Sequence, residues 1–378
     1  MTQTIVVFGA AGNVGRAVAR HLRRSSPDTP LILGGRSAAP LEELAAELTA
    51  SSTGAAVSVR VADAADQAAF RSCVRGAGLA IMAASSSAHV EGVIDALIEE
   101  GCDYLDVQIG AKKLERLRAL HPRLEAAGRR ALTEAGYSPG LPAVLARAAL
   151  APLEQPTRVH VVAGAFFDGT ALVASLSTGD ELVGALGELG LDVYVDGAWR
   201  RASMLSDGMT VDLGPPLGVR KCGPSHQEEL KELPALVPSL REVRHCSSAF
   251  NWVTMGIAFP AAIVGMAVAP GLLRRPLGKL MRWSFRFTRP PYYATMLARA
   301  WGTLDGRPAE SVVQVGHEDS YEITAIPAVA VARQWAAGRI LPLGTSLAGI
   351  VVDPGTFIDD CQLLGATVSR RLDAPAPE

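Results

Sequence analysis

No two of the five cysteines, at positions 73, 102, 222, 246 and 361, stand in a C-x-x-C spacing. That argues against a zinc ribbon or a disulfide framework and suits a reducing compartment. Lysine is scarce: Lys112, Lys113, Lys221, Lys231 and Lys279 are all there are among 36 basic side chains, a compositional bias with no functional signal of its own. An excess of either charge is also missing. With 36 basic and 38 acidic residues the formal net charge is -2, so no nucleic-acid partner is expected. The N-terminus runs almost at once into a strand-like segment, which leaves no room for a signal peptide and favours a cytoplasmic protein.

Long uncharged runs are absent with one exception. Between Cys246 and Leu273, "CSSAFNWVTMGIAFPAAIVGMAVAPGLL" contains no charged residue, and "RRPLGKLMRWSFRFTR" at 274–289 then adds six basic residues and no acidic one. The length alone allows a membrane span, and the flank fits the positive-inside pattern. Pro260 and Pro270 interrupt the run, Asn251 and Thr254 lie in it, and no second such run exists. The favoured expectation is a buried helix or a dimer surface; the alternative is a membrane-surface or apolar-ligand role.

What is present is a regular alternation over the first 136 residues. "TIVVF" (4–8) is a continuous run suited to a strand buried on both faces, and Val14, Ala17, Val18 and Leu22 have helical spacing. Further strands are expected at 31–33, 57–63, 79–84, 103–107 and 129–135, with helices at 40–50, 89–101 and 112–128 between them. Six strands with intervening helices predict an α/β fold, a doubly wound parallel sheet of Rossmann type. Beyond Gly136 the rhythm changes. A helix from Leu141, a strand at 158–166, a hairpin at 192–202 turning on Asp196-Gly197, and strand candidates in "MTVDLG" and "VVQVGH" predict a second α+β domain on an antiparallel sheet. Helices return at 321–338 and after Asp353-Pro354, where aspartate caps and proline takes the first helical position. The expected domains are 1–136, 137–320 for substrate and dimerisation, and 321–370 returning to the first.

Gly9, Gly12 and Gly15 form a G-x-x-G-x-x-G between the first strand and the first helix. Such glycines permit a tight turn, close backbone approach to a pyrophosphate and close helix packing, while the helix N-terminus favours the phosphates. The expected cofactor contacts here are Gly9, Ala11, Gly12, Asn13, Val14 and Gly15. The end of the second strand separates NAD from NADP. In place of an acidic residue it carries "GGRS", so Arg36 and Ser37 are expected to meet a 2′-phosphate, and NADP(H) is the expected cofactor. Asp63 is expected near the adenine, and Ala84 and Ser85 of "AASSS" near the pyrophosphate and nicotinamide ribose. No lysine follows any of the six tyrosines by four residues, so the tyrosine–lysine pair of the short-chain dehydrogenases is missing.

"VVFGAAGNVGRAVARHL", "GGRSAAPLEELAAEL", "GCDYLDV" and "AGYSPGLPAVLA", in that order, resemble the saccharopine dehydrogenase-like reductases. In that family a segment like "GYSPGL" (136–141) links the nucleotide and substrate domains, and a C-terminal helix like 321–338 returns to the first. Here Tyr137-Ser138 stands where an aspartate often precedes the proline, and the middle of the chain does not match. The resemblance implies an NAD(P)H-dependent reductase acting on imines or enoyl groups, with no expectation of saccharopine itself as substrate. At the carboxyl edge of the sheet, Asp106 is the candidate orienting group and Tyr137 the candidate proton donor; Gln108 is nearby. His317, Glu318, Asp319 and Tyr321 read as a polar turn, and no metal site is expected.

The leading expectation is an NADPH-dependent reductase of a fairly apolar small-molecule substrate, free or carrier-linked, acting as a homodimer. The basic 274–289 segment would meet an acidic carrier protein or an anionic membrane surface. The alternatives are a non-catalytic NADPH-binding regulator and a membrane-anchored oxidoreductase.

Overall fold

The computed structural model describes residues 3–51, 53–84, 86–167, 191–203, 206–249 and 251–373. Two compact units divide the chain. One runs from the start of the chain to Val144 and takes up Tyr321–Thr367; the other comprises Leu145–Ser320 and the chain from Val368 onward.

The first unit is a parallel sheet. Its strands are β1 (Ile5–Phe8), β2 (Leu31–Gly35), β3 (Val57–Val61), β4 (Leu79–Met82), β5 (Asp103–Asp106) and β6 (Arg130–Thr133), alternating with helices α1 (Asn13–Ser25), α2 (Ala38–Ala50), α3 (Gln67–Val74), α4 (Val90–Glu100) and α5 (Ala111–Ala126). All ladders are parallel, in the spatial order β3-β2-β1-β4-β5-β6. The order reverses beside β1, which places a crevice at the carboxyl ends of β1 and β4. Every residue of β1, β2, β4 and β5 is buried; β1, β2 and β4 read as unbroken apolar runs with no alternation, while β5 buries Asp103 and Asp106 at its ends. One face packs a core of Val6, Phe8, Phe70, Val93, Leu97 and Leu117.

A helix and a strand of this unit are among the elements that the sequence did not announce. Helix α3 is only two turns long and is announced by Asp66, whose side chain accepts the Ala69 N–H at 3.0 Å. Such a cap contributes about 1 kcal/mol. The seventh strand, pairing with β6 in parallel, comes from Gly344–Leu347 and is too short to show a pattern. It follows the returning helix Glu322–Ala336, which packs on α1. Glu322 bonds His21, and Arg333 donates to Ser25 O at 3.0 Å and to Asp360 Oδ1 at 2.9 Å. The Asp353 cap forms as expected, with Thr356 N–H at 2.8 Å.

In the second unit α6 (Leu141–Leu150), which begins in the first, leads into β7 (Arg158–Phe166). Then come β8 (Asp192–Val195), β9 (Ala198–Arg201), β10 (Met209–Asp212), β11 (Val219–Ser225) and β12 (Glu242–Ala249). Two helices, α7 (Phe259–Val268) and α8 (Pro270–Phe285), precede the long hairpin β13 (Tyr293–Leu304) and β14 (Arg307–His317). The sheet order is β10-β11-β12-β7-β13-β14, ending in a strand at Thr367–Asp373. It is mixed, because β7 and β12 pair in parallel while the other described pairings given above run antiparallel. Asp196-Gly197 makes the expected hairpin turn, with φ of 54° and 82°, and Asp305-Gly306 makes a second at 51° and 70°. Among the described residues no helix is long and apolar enough to cross a membrane. The uncharged run divides among the end of β12, a π-turn at Thr254–Ala258, α7 and the start of α8, with a break at Ala269.

Candidate functional site

The turn after β1 is shaped by its glycines. Gly9 has φ +86°, and a Cβ there would lie 2.7 Å from both Cβ and N of Ala84, so the chain just beyond β4 passes too close for any side chain. A Cβ on Gly15 would lie 2.7 Å from Gly9 C and 2.9 Å from Ala10 Cα, which seats the first helical turn directly on the strand end. Gly12 is the N-cap of α1 and brings no side chain to it, while its N–H closes the turn on Gly9 O at 3.0 Å. No side chain caps α1, so the first N–H groups, at Asn13 and Val14 beside Ala11, keep their capacity and the positive end of the helix dipole for an anion.

Arg36 follows β2 directly and is exposed; among the described residues its guanidinium makes no hydrogen bond or ion pair. Ser37, the N-cap of α2, is also exposed and its hydroxyl does not cap the helix. Both side chains are therefore available to a phosphate. Asp63, exposed just beyond β3, accepts the Ala65 N–H at 3.0 Å and keeps one carboxylate oxygen outside that turn. Ala84 sits against Gly9; Ser85 lies outside the described residues. Gln108 organises this stretch: its amide donates to Ala84 O, and its Oε1 accepts from Ser87 Oγ at 2.9 Å and Ser86 N at 3.4 Å. A dinucleotide carrying a 2′-phosphate fits this set, since the cradle excludes a Cβ where a pyrophosphate must come close and a free guanidinium stands at the strand end.

Asp106, at the carboxyl end of β5, is completely buried. Its Oδ1 accepts from Lys113 Nζ at 2.8 Å, Gln108 N at 3.0 Å and Glu134 N at 3.1 Å. Its Oδ2 accepts from Tyr104 Oη at 2.5 Å, Lys113 Nζ at 2.9 Å and Thr133 Oγ1 at 3.0 Å. Lys113 is itself buried and also donates to Gln108 O. Burial, then the Asp106 charge and bond, hold the Tyr104 hydroxyl well above its usual range. Asp106 thus orients other groups, fixing β5, β6 and the start of α5 at one point.

Tyr137 lies in the turn Gly136–Gly140, which closes on itself through Gly136 N–H to Pro139 O at 3.0 Å. It is nearly buried, and burial pushes its phenol far above the ordinary value, so it stays protonated at any working pH. Sequence reasoning overlooked Glu134 and Lys113. Glu134, buried at the end of β6, holds φ +63°, a conformation that costs a non-glycine residue about 1 kcal/mol or more and collects at functional turns. Its place after an apolar strand was the only signal. His317 turns back on its own loop, accepting the Asp319 N–H at 2.9 Å through Nδ1.

The sheet order, the glycine cradle and the uncapped helix define a dinucleotide-binding domain. Residues 5–132 match the family described as "Saccharopine dehydrogenase NADP binding domain". That match makes residues 5–132 a domain of this family and the first unit an NADP(H)-binding one. No curated protein matches the chain. Among solved structures, apo saccharopine dehydrogenase (L-Glu forming) from Saccharomyces cerevisiae is similar over 98% of this chain and 100% of its own, at 13% identity and a TM-score of 0.70. That similarity shows a shared fold. A meso-dapdh mutant with DAP from Clostridium tetani E88 aligns over 94% of this chain and 96% of its own, at 10% identity and a TM-score of 0.45. A short-chain dehydrogenase from Sphingobium yanoikuyae in complex with NADPH aligns over 35% of this chain and 69% of its own, at 20% identity and a TM-score of 0.29. These two likenesses are too loose to bear on the site.

Proposed function

We propose that the protein is an NADPH-dependent oxidoreductase reducing a C=N or C=C bond of a fairly apolar metabolite, free or carrier-linked. The observation that carries this reading is Arg36, an exposed guanidinium at the end of β2 with no partner among the described residues. Gly9, Gly12 and Gly15 would hold the pyrophosphate against the N-terminus of α1, and Arg36 with Ser37 would hold the 2′-phosphate. When bound, the dinucleotide supplies a hydride from its nicotinamide ring.

The chain's own contribution is positioning and a proton. Asp106 and Lys113 fix the carboxyl ends of β5 and β6, and Gln108 sets the course of the chain past Ala84. Tyr137 is the proposed donor for its place just after β6, at the carboxyl edge of the sheet, where burial leaves its phenol protonated. Reduction of an imine or an enoyl group asks for little more than that geometry and one proton. An outward-facing apolar stretch at 246–273 suits an enzyme of apolar, lipid-like metabolites better than one of dicarboxylic amino acids.

A regulator that binds NADPH and turns nothing over is the second reading. It draws on the saturation of Asp106, which leaves few groups at the sheet edge for chemistry. Rapid-mixing measurement of NADPH oxidation against cyclic imines, enones and enoyl thioesters separates the two. Turnover with an apolar member of the panel is expected. NADPH binding without turnover, coupled to altered affinity for a partner protein, would establish the regulator instead.

A further inference from the structure

The two helices α7 and α8 bury Ala262, Leu277, Met281 and Phe285 between them, yet their outer face is apolar too. The uncharged polar groups where the chain enters and leaves the pair bond one another. Asn251 donates through Nδ2 to Ser284 O and to Thr288 Oγ1, both at 2.9 Å, and its Oδ1 accepts the Thr254 N–H at 2.9 Å. Thr254 and Ser284, both fully buried, bond each other at 2.9 Å. The outward face is apolar: Trp252, Val268 and Leu272 are 76%, 76% and 78% exposed, with Ile263, Val264 and Phe287 exposed beside them. Scattered exposed side chains are ordinary, but a cluster of large ones on one short hairpin marks a surface made for something other than water.

The same hairpin carries cations without counterions. Arg275, Lys279, Arg286 and Arg289 are exposed and make no ion pair among the described residues, and no acidic residue occurs anywhere from 246 to 289. Large apolar side chains, tryptophans and unpaired basic groups together describe an in-plane interfacial element. A second copy of the chain fits poorly. A twofold contact would set these basic groups against their own images, with no acidic residue on the hairpin to separate them. An acidic protein would satisfy the cations but gives no reason for so much exposed Trp, Val and Leu.

We propose that this hairpin docks the protein on an anionic lipid bilayer, with the apolar side chains among the acyl chains and the basic residues at the headgroups. The membrane is the hairpin's partner whatever reaction the first unit supports.

Co-sedimentation of the full chain with vesicles tests this, using phosphatidylcholine alone or with about one-third phosphatidylglycerol, at low and high salt. The chain is expected to bind the anionic vesicles and to lose affinity as salt rises. Each basic residue near such a surface is worth roughly a fivefold factor, so R275A/K279A/R286A should weaken binding on the order of a hundredfold. V264S/V268S/L272S should weaken it at least tenfold, at both salt concentrations. NADPH binding by both variants reports that they have folded. Failure of the wild type to bind anionic vesicles would overturn the proposal, as would binding that neither variant weakens. A wild-type dimer that V264S/V268S/L272S converts to monomer without loss of vesicle binding would assign the face to a second copy, and saturable binding to an acidic carrier protein with none to vesicles would assign it there.

Discussion

Lys113 Nζ lies 2.8 Å from Oδ1 and 2.9 Å from Oδ2 of Asp106, with both side chains sealed from solvent. A buried ion pair of this kind adds little net stability over an apolar pair of the same shape. Losing one partner is another matter, because it strands a charge in the interior. Lys113→Met is expected to cost about 3–5 kcal/mol, and Asp106→Asn a similar amount. The double substitution should recover much of either loss, since neither charge is then left alone. Urea denaturation of the four proteins checks this; additive losses would show that the two residues act separately.

The glycine cradle predicts a separation of stability from binding. Gly15→Ala places a methyl group against the backbone of Gly9 and Ala10, where nothing flexible can yield, and should cost about 1–3 kcal/mol. Gly9→Ala adds the strain of φ +86° to a clash with Ala84. Both variants, if they fold, should bind NADPH at least tenfold more weakly than the wild type, since the same atoms form the pyrophosphate seat. Fluorescence titration reads the affinity and urea denaturation the stability. Undiminished NADPH affinity in folded Gly9→Ala would place the pyrophosphate elsewhere.

Much of this site was legible in the sequence, and its limits have physical causes. The run "TIVVF" and the three glycines announce strand, turn and helix because both sides of that junction are constrained by sterics alone. Asp196-Gly197 and Asp353-Pro354 are equally local, and both form as expected. The parallel pairing of β7 with β12 joins segments about eighty residues apart, and no local pattern carries such a contact. Asp106 could be picked out as an orienting group by its place at a strand end. That it meets a lysine seven residues on, the Tyr104 hydroxyl and the Glu134 amide depends on how β5, β6 and α5 assemble. Nothing local in the sequence beyond its place after an apolar strand marks Glu134; its burial and its φ of 63° emerge only in the fold.

All five cysteines are buried, and burial raises each thiol: Cys73 and Cys222 to about 11, Cys246 to about 12, Cys102 and Cys361 higher still. Thiolate, the reactive form, is thus scarce in the native protein. A thiol reagent at about pH 8 should modify none of the five natively and all five in urea. Rapid reaction of one native cysteine would reveal an accessible thiol that this packing does not allow.

His245 predicts an acid weakness. Burial first, then the nearby His226, hold its imidazole down at about 3, and Ser225 Oγ lies 2.8 Å from Nδ1. Above the unfolded value of 6.5 the ring is neutral in both states and stability is unaffected. As pH falls from about 6.5 towards 3, the unfolded chain takes up a proton that the native ring refuses. Stability then drops by about 1.4 kcal/mol per pH unit from this group alone. His245→Gln should flatten the acid limb by one proton, whatever its stability at neutral pH. Urea denaturation between about pH 4 and 7 measures that slope; an unchanged slope would remove His245 from the account.

The central claim is that Arg36 makes this a site for NADPH, and one comparison tests it most directly. NADPH and NADH are titrated into the wild type and Arg36→Ala, and the ratio of dissociation constants is taken for each. A charge-assisted bond contributes about 1.5–3 kcal/mol, so removing the guanidinium should weaken NADPH binding by roughly 10- to 100-fold and leave NADH nearly unchanged. A wild type that prefers NADH, or a ratio indifferent to Arg36→Ala, would contradict the account.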